Sequence, residues 1–125
     1  MLVFLSVVQP PREATSLLGA PLVSPPQAED VRGRLEADLA AARLALARTP
    51  DDADARIWVG RRLAYLGRYR EAIAEFSEGT ARFPADARFL RHRGHRYITV
   101  REFDQAVVDL ERAAIKVGWI ETIVG

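Results

Sequence analysis

From Val31 onward, apolar residues recur at helical spacing. Val31, Leu35, Leu39, Ala42 and Leu46 follow one another at steps of four, four, three and four, which draws one stripe along a helix. Acidic residues lie toward its start, and Arg43 and Arg48 toward its end, the arrangement a helix dipole favours. Ser24 suits its N-cap, Pro25 its first turn, and Gln27 completes the spacing of a capping box. Thr49-Pro50-Asp51-Asp52 stops it, so a helix is expected over 25–49. The same periodicity predicts four more helices at about 53–66, 69–82, 87–100 and 103–117. No run alternates apolar and polar residues as a half-buried strand would. An all-α fold is expected.

The pattern also repeats itself. A shift of 34 residues lays Pro50 on Pro84, Ala53 on Ala87, Gly60 on Gly94 and Leu63 on Tyr97. It also lays Tyr69 on Phe103, Ala72 on Ala106, Ile73 on Val107 and Phe76 on Leu110. Two antiparallel helices approach closely only where side chains are small, so Gly60 is expected to face Ala72, and Gly94 to face Ala106. Gly67 can adopt positive φ and so permits a tight turn between the first pair. Tyr69 and Phe103 are expected to plug the junctions beside these turns, and Pro84 to end the second helix.

These residues resemble the tetratricopeptide repeat family, whose 34-residue helix-turn-helix unit has small residues where Gly60, Ala72, Gly94 and Ala106 stand, and Pro where Pro84 stands. The resemblance implies a short helix-turn-helix solenoid: a capping helix at 25–49, hairpins at 53–86 and 87–120, and a tail at 121–125. Gly60, Ala72, Phe76, Pro84, Gly94, Tyr97, Ala106 and Leu110 would be its packing positions. The chain departs from the family in several places. Arg56 stands where Trp is usual, Trp58 comes two places later, Arg93 replaces Leu, Arg101 replaces the turn Gly, and Gly118 replaces the last Pro. Arg56 and Arg93 on packing faces need partners or must reach water.

Helical geometry assigns a second face of each first helix to the inner surface of such a stack. That face holds Asp54, Ile57, Arg61, Ala64 and Tyr65 in the first unit, and Arg88, Arg91, His95, Ile98 and Thr99 in the second, with Trp58 and His92 at its edge. Arg binds carboxylates through two parallel hydrogen bonds, so an acidic partner peptide or a C-terminal carboxylate suits it. The other reading is a solvated face in an Arg-rich protein. In the family's chaperone-binding members a Lys/Asn clamp holds the carboxylate; Ile57 and Arg61 stand at those places, so that activity is not implied.

Composition narrows the function further. The 125 residues are 49% hydrophobic and 28% charged, with a net charge of +1 and no Cys. Disulfides, thiolate metal sites and cysteine nucleophiles are excluded. With two His there is no multi-histidine metal centre, and the five Arg around His92 and His95 repel a cation, so no metal is expected. The near-zero charge gives no global reason to bind nucleic acid, leaving an RNA-contacting helical module as the weaker reading. No phosphate loop, nucleophile elbow or paired catalytic acid signature is present, so neither an enzyme nor a cofactor is expected. The expected function is a protein–protein interaction module or scaffold that binds a partner peptide. Its rival is a fragment of a longer repeat array that self-associates.

The two ends carry separate expectations. Residues 1–8 are apolar apart from Ser6, well short of the roughly 20 that span a bilayer. They are similar to the apolar core of a signal peptide but lack the basic start, and Leu18-Gly19-Ala20 is a poor cleavage site. A truncated signal peptide, implying export to the periplasm, and an apolar end docked on a cytoplasmic domain both remain open. The five Pro between Gln9 and Pro26 predict an extended linker. At the other end, Val107, Leu110, Ala114 and Val117 face outward with an apolar tail after them, which predicts self-association through residues 107–124.

Overall fold

The computed structural model describes residues 11–118. The expectations placed on residues 1–10 and 119–125, including the signal-peptide remnant and the tail, lie outside the described residues. Five helices follow a short ribbon. They are α1 (Glu29–Arg48), α2 (Ala53–Tyr65), α3 (Tyr69–Arg82), α4 (Ala87–Thr99) and α5 (Phe103–Lys116). Each helix packs chiefly on the next in the chain, giving an all-α stack of hairpins. The helix ends fall within one residue of those read from the sequence for α2 to α5.

Local chemistry explains these ends. The Asp52 carboxylate accepts from the backbone N–H of Asp54 at 2.9 Å and of Ala55 at 3.2 Å, capping α2. Asp86, 34 residues later, caps α4 by accepting from Arg88 N–H at 3.0 Å. After α2 the chain reverses through Gly67 at φ 73°, with Arg68 N–H donating to Leu63 O at 3.0 Å. After α4 the same turn forms with Arg101 at φ 65°, and Glu102 N–H donates to Tyr97 O at 2.8 Å. Arg101 therefore takes the left-handed conformation that its glycine counterpart takes without strain.

The core runs through Leu39, Ile57, Val59, Leu63, Ala72, Phe76 and Phe89. Gly60 and Gly94 mark close helix crossings as expected, but their nearest neighbours lie one turn further on than Ala72 and Ala106. A Cβ on Gly60 would overlap the Phe76 ring, and one on Gly94 would lie 2.8 Å from Leu110 Cγ. Ala72 and Ala106 are buried beside these crossings. A third crossing was not read from the sequence: at Gly79 the Phe89 ring occupies the place of the missing side chain. Tyr69 does pack at its junction, whereas Phe103 is half exposed. Both arginines on packing faces have partners. Arg56 donates to Glu75 Oε2 at 2.8 Å, and Arg93 grips Asp109 with two parallel bonds of 2.7 and 2.8 Å while also donating to Ser77 Oγ at 3.1 Å.

The stretch read as an extended linker is built into the fold. β1 (Ala14–Thr15) and β2 (Pro21–Leu22) pair antiparallel, with Ala14 opposite Leu22 and Thr15 opposite Pro21. Ala14 is buried among Ile73, Val100, Tyr69 and Tyr97. Buried Glu13 accepts from Arg70 N–H through Oε2 at 2.9 Å and from Arg70 Nε through its carbonyl at 2.9 Å. The capping box expected at Ser24 and Gln27 does not form. Ser24 Oγ donates instead to Gly67 O at 2.8 Å and Gln27 Nε2 to Tyr65 O at 2.9 Å, and α1 begins after Ala28 with no side-chain cap. These side chains satisfy carbonyls at the end of α2 that have no intrahelical partner.

Candidate functional site

The residues read as one binding face divide into three environments. Ile57 is buried in the core with Leu39 and Phe89, and so is Ala64, which removes both from any accessible face. His92 is partly buried, its ring stacked on Phe76 at 5.3 Å and 17° between planes. Burial, then the cations Arg91 and Arg61, His95 and Arg96, push its pKa down to about 4, so it is neutral at pH 7. Ile57 and His92 face a neighbouring helix, and reading one hairpin in isolation cannot anticipate that.

The second environment lies on α2. The Arg61 guanidinium sits 4.3 Å from the Trp58 ring centroid and donates to Tyr65 Oη at 2.8 Å. Arg62 lies 4.9 Å from the same indole and reaches Asp38 on α1 at 3.3 Å. Arg61 is thus held between two aromatic side chains, with its charge partly spent on their π faces. Trp58 and Tyr65 stay accessible, at 41% exposure each.

The third environment lies between α4 and α5, where a groove of about 370 Å³ opens. Its polar wall is Arg88, Arg91 and His95 from α4, with the two arginines supplying the charge. Its apolar wall is Leu110, Ala113, Ala114 and Val117 from α5. Arg88 is already engaged, reaching Asp86 at 2.7 Å and Asp54 at 2.5 Å. The Asp86 carboxyl is held below its usual range, mainly by the hydrogen bond from Arg88. Among the described residues Arg91 makes no ion pair and is exposed, and at longer range its charge adds to that of Arg88 in holding the Asp86 carboxyl down. Ile98 is exposed further along α4 and does not line the groove.

Sequence reasoning placed Arg88, Arg91 and His95 on the binding face, but assigned Leu110, Ala114 and Val117 to a self-association face rather than to this groove, and did not single out Ala113. The signal was present: Ala113 stands 34 residues after Gly79, the small residue that admits Phe89. Asp54, expected in the binding face, instead ties α2 to α4 through Arg88. Half-exposed Val107, Val108, Ile115 and Val117 leave much of α5 uncovered. No helix among the described residues is long and apolar enough to cross a membrane. No protein-family model matches the chain, and comparison with the curated proteins gives no match either.

Proposed function

We propose that this chain is a binding module, similar to tetratricopeptide repeat proteins, that holds a partner peptide in the groove between α4 and α5. The observation that carries this reading is the pairing of two unlike walls. One side offers Arg91 and His95 with Arg88 beside them, and the other offers four apolar side chains. Such a groove suits a partner with acidic and apolar residues on opposite sides, because Arg selects carboxylates and α5 removes apolar surface from water. The Trp58–Arg61–Tyr65 cluster supplies a second contact area on α2 for a longer segment. Binding rather than catalysis is the proposed role.

Affinity capture with the full chain, followed by mass spectrometry, tests this. The immobilised protein should retain a partner that is lost from the Arg91→Glu variant while helical circular dichroism is unchanged. Equal retention by the variant would return these arginines to a merely solvated face. A second reading, self-association of a repeat array, draws on the half-exposed Val107 and Val117 of α5. Under that reading sedimentation would show a species heavier than 13.9 kDa.

A further inference from the structure

The α4–α5 groove has a counterpart inside the same molecule that is already filled. Moved back by 34 residues, Leu110, Ala113 and Val117 become Phe76, Gly79 and Phe83, and Arg88 becomes Asp54. All four of these earlier positions are in contact with α4. Phe89 fills the space at Gly79 and stacks on Phe83 at 5.6 Å, His92 stacks on Phe76, and Arg88 pairs with Asp54. What fills the earlier groove is a helix, and its contacts define how a helix sits there: a charged side chain, a large apolar one directly after it, and a flat or branched one a turn later.

We infer that the open groove receives an amphipathic helix of a partner protein, seated as α4 is seated on α2 and α3. This rests on the binding function proposed above and specifies its ligand. The differences between the two grooves state the ligand's chemistry. Asp54, which attracts Arg88, is replaced by Arg88 itself, with Arg91, which makes no ion pair among the described residues, a turn away, so the incoming helix carries Glu or Asp where α4 carries Arg. Gly79 is replaced by Ala113, whose methyl takes part of the space that the Phe89 ring fills. The residue following the acid is therefore Leu or Ile rather than Phe. The required pattern is acid, then aliphatic, then an apolar residue three positions further to lie on Leu110.

The probe can be built from α4 itself. A peptide of residues 86–99 carrying Arg88→Glu, Phe89→Leu and His92→Leu, locked as a helix by a lactam on its outer face, is compared with the same peptide retaining Arg88. The lock is needed because an isolated helix of this length is marginal in water. Fluorescence anisotropy on the full chain should show the Glu probe binding about tenfold or more tightly than the Arg probe, with the gap narrowing as salt screens it. Arg91→Glu in the protein should reverse that preference. Ala114→Gln, at a partly exposed position that narrows the groove without changing charge, should weaken both probes.

Equal affinity for the two probes, or no binding of either, overturns the inference. So does a concentration-dependent dimer that Ala114→Gln dissociates, because the occupant would then be a second copy. Where a natural partner is retained and then lost on Arg91→Glu, yet neither probe binds, the groove binds something other than a helix and only this inference falls. Retention that survives both Arg91→Glu and Ala114→Gln places the bound partner elsewhere on the chain, and the groove reading falls together with this inference.

Discussion

Replacing Asp109 with Ala leaves the Arg93 guanidinium without its carboxylate. The Asp109 side chain is 3% exposed and that of Arg93 16%, so water does little to replace the lost partner. Removing one member of a buried pair costs about 3–5 kcal/mol. Arg93 keeps its bond to Ser77 Oγ and a little solvent access, which places this site near the lower end, at about 3 kcal/mol. For a domain of this size that loss lowers the melting temperature by roughly 10–15 °C. Asp109→Asn keeps one acceptor and should fall in between. Removing both charges in Arg93→Met with Asp109→Leu should recover most of the loss, since apolar replacement of a whole buried pair is often neutral or better. Urea unfolding followed by circular dichroism gives each value. A cost below about 1 kcal/mol for Asp109→Ala, or a double variant no better than the single, would show that this pair does not hold α4 to α5.

Arg101→Gly should stabilise the protein by about 0.5–1 kcal/mol, because the αL turn at φ 65° strains any side chain; an unchanged urea midpoint would contradict this. Gly94→Leu should destabilise by roughly 1–3 kcal/mol or more by driving into Leu110 and Asp109, read as a lower melting temperature. His92 carries a depressed pKa in the folded chain, so between pH 6.5 and about 4 the unfolded chain binds a proton that the folded chain refuses. Stability is therefore lost as pH falls through that window, by about 1–2 kcal/mol after allowance for partial solvent access, and His92→Phe should flatten the dependence.

The helices were legible in the sequence because each is more than three turns long and repeats its apolar spacing. The 34-residue repeat supplied Gly60, Gly94 and the turn positions, including Arg101, where the wrong residue keeps the right conformation. The ribbon was not legible, since strands of two residues carry no periodicity, and what places Ala14 is a pocket between Ile73 and Val100 formed by distant elements. Arg93 was recognised as needing a partner, but Asp109 lies on another helix and no local pattern links the two. Within the candidate site, the polar wall followed from helix arithmetic on α4. Ile57 and His92 left the site because packing between hairpins, not the geometry of either one, decides which side of α2 and α4 remains open.

A stack whose helices touch chiefly their neighbours is coupled only from one unit to the next, so it can begin to open at its ends. The ribbon changes that. Glu13 reaches 57 residues ahead to Arg70, Ser24 and Gln27 hold the carbonyls at the close of α2, and Ala14 rests on Val100 beyond α4. One segment near the start of the chain thus clasps the bends of both hairpins, so neither can swing open alone. Closing this long loop slows the search for the native arrangement, since distant contacts cost chain entropy before they form. In exchange the two hairpins should melt as one cooperative body rather than as beads on a string, seen as a single transition.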